Sequence, residues 1–237
     1  VLDEMPPGRT PIKTSWVAGE KPEAKMWADV CEAISQGQQA FVVCPLIEES
    51  DKLQVASAED TFKLLGKTAL KGLKLGLLHG RMSSSEKDET MNKFRDRKLD
   101  VLVATTVIEV GVDVPNATCM IVLDADRFGI AQLHQLRGRV GRGGLPGLCL
   151  MLTSAEEGSL ALDRVKAVAE TTDGFKLSEI DLELRREGDV LGANQSGGRS
   201  SLKLLRVLAD SKMIQEAREE VIRLFEADPT LEKHTSL

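Results

Sequence analysis

Gln39-Ala40-Phe41-Val42-Val43-Cys44-Pro45 is a short, unbroken apolar run closed by proline. A run of this length, rich in β-branched and aromatic side chains, suits a strand covered on both faces. The same signature recurs at residues 73–78, 101–105, 117–124 and 147–152. Helical spacing fills the gaps. Trp27, Val30, Cys31 and Ile34 fall on one face of residues 21–35, and Ala58, Phe62, Leu65 and Ala69 on one face of residues 57–70. Ser83-Ser84-Ser85-Glu86 offers a capping box for a helix carrying Met91 and Phe94, and residues 130–136 form a shorter helix. Strands alternating with helices predict an α/β fold, a mainly parallel sheet with helices on both faces. Ahead of these elements lies a proline-rich entry (Pro6, Pro7, Pro11), whose opening, Val1 to Gly8, reads as mid-chain linker.

Past Thr153 the strand signals stop. Ser154 makes a capping-box pattern with Glu157, and Leu160, Val165 and Val168 follow at helical spacing. A second short helix is expected from Ser178, then a glycine-rich, strand-free stretch over 185–198, then helical patterns at 201–210 and 212–227. The chain therefore divides at 153: residues 1–153 form the α/β lobe, and residues 154–237 a helical hairpin, a loop and C-terminal helices.

At 237 residues the chain can bury a core without disulfides. A net charge of -6 argues against an overall basic nucleic-acid wrapper, although local arginine clusters still act over a Debye length. Cys31, Cys44, Cys119 and Cys149 are widely spaced, three of them inside strand-like runs, which reads as buried hydrophobes in a reducing compartment and as neither a disulfide frame nor a zinc site. No signal peptide and no bilayer-spanning apolar run is present, so a cytoplasmic protein without membrane contact is expected. The first residue is Val1, and a fragment of a longer protein is expected.

The segment richest in chemistry is Gln135-Leu136-Arg137-Gly138-Arg139-Val140-Gly141-Arg142. Its two glycines permit close backbone approach, and Arg139 and Arg142 suit bidentate contact with phosphate oxygens. A guanidinium at a γ-phosphate stabilises charge that develops during phosphoryl transfer. In a parallel sheet, ligands gather at the carboxyl ends of the strands. The loops at His79-Gly80, at 105–115 and at 137–142 are expected to leave such ends.

This segment resembles motif VI of the superfamily 2 helicases, which implies a RecA-like lobe with Arg139 and Arg142 as fingers on the ATP γ-phosphate. Residues 103–116 (Val103-Ala104-Thr105-Thr106-Val107-Ile108-Glu109-Val110-Gly111-Val112-Asp113-Val114-Pro115-Asn116) resemble motif V. The resemblance implies that Thr105 and Thr106 touch the nucleic-acid backbone while Gly111 and Asp113 face the nucleotide; read alone, Asp113 is equally a turn carboxylate before Pro115. His79-Gly80-Arg81-Met82 is similar to motif IVa, which places Arg81 along DNA, with a structural histidine as the other reading of His79. His134 precedes motif VI and is either a coupling residue or a satisfied, partly buried imidazole.

Residues 174–197 are similar to the translocation motif shared by RecG and the transcription-repair coupling factor. In those families a helical hairpin and loop turn lobe closure into movement along duplex DNA. By that resemblance Arg185 ties the hairpin to motif VI, and Gln195 lies on the DNA-contacting loop. Arg185-Arg186-Glu187-Gly188 departs from the families' Arg-Gly-Pro-Gly, which leaves the turn open.

Gly66-Lys67-Thr68 is not a P-loop, because the first required glycine is Thr61. Asp3-Glu4 lacks a preceding apolar strand, so no metal ligand set is read here. ATP and Mg²⁺ are expected on a first motor lobe outside the chain, and the chain alone is expected not to hydrolyse ATP. The RecG resemblance is the fuller one, through Leu133-His134-Gln135 and residues 110–114. It implies ATP-driven remodelling of forks and Holliday junctions, with a wedge domain elsewhere. A coupling-factor-like translocase, a catalytically idle binding module and an RNA helicase are the alternatives.

Overall fold

The computed structural model of the chain describes residues 12–45, 51–105, 114–142 and 144–191. Its elements in order are β1 (Ile12–Val17), α1 (Glu20–Ser35), β2 (Gln39–Cys44), α2 (Asp51–Lys67), β3 (Leu75–Leu78), α3 (Ser84–Arg95), β4 (Val101–Thr105), β5 (Ala117–Val122), α4 (Ile130–Arg137), β6 (Gly147–Leu152), α5 (Leu160–Glu170) and α6 (Gly174–Leu191), with a single 3-10 turn at Ala125–Arg127. The strands form one six-stranded sheet in the order β1-β6-β5-β2-β4-β3, with all pairings parallel. All carboxyl ends therefore share one edge of the sheet, and all amino ends the other.

Every residue of β2, β4 and β5 is buried, as their apolar runs require. The two-residue period of a strand sorts them between two cores. Phe41, Val43, Leu102, Ala104, Met120 and Val122 face a core shared with α3, α4, α5 and α6. Ala40, Val42, Val101, Val103, Cys119 and Ile121 face a second core shared with α1 and α2. Helices thus cover both faces, as the alternating pattern demands. The Ser83 capping box forms as expected: Glu86 N donates to Ser83 Oγ at 3.3 Å, and Ser83 N donates to Glu86 Oε2 at 2.8 Å. None of the described helices is long and apolar enough to cross a membrane.

Four expectations need correction. β1 lies just past the proline-rich entry, in residues for which no element was expected; it pairs with β6 alone, at the sheet edge, and its half-exposed residues lack an apolar run. α2 starts at Asp51, six residues before the reading from Ser57. α5 is not capped by Ser154. Ser159 Oγ accepts from Leu162 N at 3.2 Å, while the Glu157 carboxylate pairs with Lys166. α6 begins at Gly174, four residues before Ser178, because Asp173 Oδ1 accepts from Phe175 N at 2.8 Å and from Lys176 N at 3.3 Å. The same helix runs through Arg185-Arg186-Glu187, residues of high helix propensity that carry it past Gly188 into the stretch read as loop.

The last strand ends at Leu152, yet Val165, Val168 and Leu177 still belong to the sheet's core. Val1–Gly188 group as one compact unit and Asp189–Leu237 as a second. Helix capping supplies a test. Ser159→Ala should cost about 1 kcal/mol in urea unfolding, whereas Ser154→Ala, at an exposed and uncapped position, should leave the midpoint unchanged.

Candidate functional site

The glycine-arginine segment follows α4 and enters β6 at its amino end. Gly138 N donates to His134 O at 3.1 Å and Arg139 N to Leu136 O at 3.0 Å, so the helix tightens as it stops. Gly141 has φ 74°, in the left-handed region. It packs against Gly147, the first residue of β6, where an added Cβ would come within 3.1 Å of Gly141 N. The expectation that residues 137–142 leave a carboxyl strand end is therefore overturned. The segment leaves a helix, and in a parallel sheet a helix returns the chain to the amino edge.

The three arginines do different things. Arg142 folds back, with Nε and Nη2 donating to Gly138 O at 3.2 and 3.1 Å, which closes the loop. Arg139 is half-buried and makes no side-chain hydrogen bond or ion pair to a described residue. Arg137 is only 3% exposed. Its Nη1 donates to Val168 O at 2.6 Å and Thr171 O at 2.8 Å, carbonyls at the end of α5. Its Nη2 lies 2.6 Å from His134 Nδ1.

A guanidinium only donates, so His134 Nδ1 must be the acceptor and the ring proton sits on Nε2. That Nε2 would stand 3.4 Å from a Cβ placed at Gly174, the first residue of α6. The end of α4, the end of α5 and the start of α6 thus meet around one cation. Placement at a helix C-terminus favours a positive charge. Burial lowers the Arg137 pKa, and burial pushes the neighbouring Cys149 thiol up to about 12, so that thiol stays neutral.

Sequence reasoning grouped Arg137 with the other two arginines and passed over its separate role. The signal was present. Ile130, Leu133 and Arg137 share the i, i+3, i+7 stripe that α4 buries. His134, expected as a coupling residue or a satisfied imidazole, lies at this junction.

The carboxyl edge holds a second group. Thr105 ends β4 opposite Cys44 and is buried. Its Oγ1 finds no hydrogen-bond partner among the described residues, and neither does the buried Nδ1 of His79. The β3–β4 register pairs Leu78 with Ala104, so His79 and Thr105 are the next residues on adjacent strands. Arg81 is exposed on the turn that follows, where Met82 N donates to His79 O at 3.2 Å. Two orphaned polar atoms and an exposed guanidinium suit a polar ligand.

Thr106, Gly111, Asp113 and Gln195, and the side chain of Arg185, lie outside the described residues. The described ends of the 105–114 segment sit at opposite edges of the sheet: Thr105 at the carboxyl edge, Val114 at the amino end of β5, where its carbonyl accepts from Ala117 N at 2.9 Å. A buried amide fastens the exit. Gln39 Nε2 donates to Phe94 O and Leu99 O, both at 2.7 Å, and its Oε1 accepts from Asn116 Nδ2 at 3.3 Å. Among the described residues no three His, Cys, Asp or Glu side chains form a group able to hold a metal ion.

Stability separates the arginines. Arg137→Met leaves two buried carbonyls and an imidazole without their donor and should cost about 2–4 kcal/mol in denaturant unfolding. Arg139→Met should stay within about 0.5 kcal/mol of the parent chain. Equal losses would mean that the two guanidiniums are not divided in this way.

Residues 25–144 match the family described as helicase conserved C-terminal domain, and residues 171–236 match the family of the C-terminal part of domain 3 of the ATP-dependent DNA helicase RecG. The chain is 48% identical over 242 residues to the ATP-dependent DNA helicase RecG of Mycobacterium tuberculosis, covering 97% of this chain and 33% of that protein. It is 44% identical over 228 residues to the RecG of Bacillus subtilis, covering 96% and 33%. The chain thus spans about a third of the length of these relatives. A solved structure of RecG bound to a three-way DNA junction superposes with a TM-score of 0.65 at 40% identity, covering 89% of this chain and 26% of that one. The chain, with its parallel sheet and glycine-arginine segment, belongs to the helicase conserved C-terminal domain family, and its residues 171–236 match the C-terminal part of domain 3 of RecG.

Proposed function

We propose that the chain is the second half of an ATP-driven motor that remodels branched duplex DNA, as at stalled forks and Holliday junctions. The observation that carries this reading is the division of the three arginines: two on a loop at the sheet edge, and one buried where three helices meet. Two guanidiniums on a glycine-lined loop have the chemistry to meet the terminal phosphate of ATP, with Arg139 and Arg142 in that role; by the motif V resemblance Gly111 and Asp113 would face the same nucleotide. When bound, the nucleotide supplies the free energy of hydrolysis. Its Mg²⁺ would be held by a first motor lobe. At the other edge of the sheet, Thr105, Thr106 and Arg81 would meet the DNA backbone, where hydroxyls and guanidiniums position without reading sequence.

Residues 1–153 form the lobe in this reading, and residues 154–237 the translocating part. Arg137 and His134 join them. A displacement of Arg139 and Arg142 at the nucleotide would pull on α4, and α4 would carry the end of α5 and the start of α6 with it. Arg185, and Gln195 further along, would transmit that motion to duplex DNA.

The test uses a protein of the relatives' full length. Arg139→Ala and Arg142→Ala should each lower DNA-stimulated ATP hydrolysis about 10³-fold or more, with junction binding retained. Full hydrolysis by Arg142→Ala would sink the finger assignment. Arg137→Lys keeps the charge and loses the fork of donors. It should leave ATP hydrolysis near the parent value while strand separation per ATP falls several-fold. The 237-residue chain alone should hydrolyse no ATP above background.

A further inference from the structure

Residues 67–100 carry nine Lys and Arg against five Asp and Glu, a net charge of +4 in a chain whose net charge is -6. Five of those cations are exposed at the amino edge of the sheet: Lys71 and Lys74 on the turn between α2 and β3, and Arg95 at the end of α3 with Arg97 and Lys98 on the turn to β4. The backbone stitches the turns together. Asp100 N and Val101 N donate to Lys74 O at 2.7 and 3.2 Å, and Lys74 N donates to Asp100 Oδ2 at 2.7 Å.

The acids on these two turns are already engaged: Asp100 holds the Lys74 amide, and Asp96 bridges to Lys98 at 3.0 Å. Along α3, Glu86 caps Ser83 and Glu89 pairs with Lys93, while Asp88 is exposed. Lys71, Lys74 and Arg97 form no ion pair with a described residue. Arg97 has φ 57°, a left-handed conformation unusual for a side chain of its size.

The placement gives these charges a direction. β3 is an edge strand, and α3 returns alongside it from the carboxyl edge, near Arg81, to the amino edge at Arg95. Twelve helical residues span about 18 Å, which is about five base pairs of duplex at 3.4 Å each. The exposed large apolar residues of the described chain are Leu64, Leu145, Phe175 and Leu182, none within 67–100. A protein interface would need apolar residues at its centre, and a membrane surface would need an apolar face to insert. Phosphate contact needs only the charges.

We propose that this face is a second phosphate-contacting surface, along which a duplex arm of the branched substrate runs from Arg81 to Lys98. The proposal rests on the reading that Arg81 and Thr105 meet duplex DNA. It adds a contact that carries no nucleotide chemistry and anchors an arm beside the moving lobe.

The experiment measures the affinity of the full-length protein for a three-way DNA junction across a range of salt concentrations. The quadruple variant Lys71→Gln, Lys74→Gln, Arg97→Asn, Lys98→Gln should flatten the slope of log K against log salt by about 3 to 4, at about 0.9 for each phosphate no longer neutralised. Its melting temperature and its ATP hydrolysis at saturating DNA should match the parent. An unchanged slope in the folded variant overturns the proposal and leaves the charges as guards of an edge strand against pairing. Arg81→Gln is the companion. If it also leaves binding unchanged, the carboxyl-edge reading fails too; if it weakens binding while the quadruple variant does not, only the second surface fails.

Discussion

A guanidinium has five donors and no acceptor, so burying one requires carbonyls and lone pairs to converge on it. Arg137 meets that requirement through Val168 O, Thr171 O and His134 Nδ1. Each of these groups loses its partner if the guanidinium leaves, and a buried orphan is costly. The end of α4 is therefore fixed to the end of α5 and set beside the start of α6. Arg139 and Arg142, two and five residues further on, inherit that position.

The parallel sheet supplies the other constraint. Because every strand runs the same way, connections leaving strands and connections entering them lie on opposite edges. His79, Arg81 and Thr105 sit at the exit edge; Arg139, Arg142 and Val114 sit at the edge of entry. Residues 105–114 join the two edges in one continuous stretch, fastened at its exit by the buried Gln39 amide and Asn116. A change at one edge has a direct covalent route to the other, and the buried sheet between them is the fixed frame for both.

Much of this was legible in the residues. β2, β4 and β5 are apolar on both faces, so their runs announced themselves without ambiguity. The Ser83–Glu86 box forms where it was expected, since both of its reciprocal bonds are local. β1 escaped because an edge strand needs few apolar residues, and Lys13 and Ser15 interrupt any apolar run. Ser154 was mistaken for a cap because the Ser-x-x-Glu spacing does not say whether a helix follows; Ser159 has no glutamate three residues on, yet caps α5. The helix through Arg185 to Leu191 was masked by Gly188, whose cost a single helix absorbs. The site was only half visible. Resemblance supplied roles for Arg139 and Arg142, but the edge on which they lie follows from connectivity, which spacing does not encode. Arg137 was hidden by its neighbours: three arginines in six positions read as one cluster until burial set one apart.

The central claim is that α5 and the first half of α6 form one cooperative unit with the sheet, held through Arg137. Native-state hydrogen exchange in increasing denaturant tests it most directly. Amides of residues 162–170 and 177–184 should open at the same free energy as those of 119–122 and 148–151, merging into one isotherm. Opening of the two helices at a much lower free energy, while the sheet stays protected, would contradict the account.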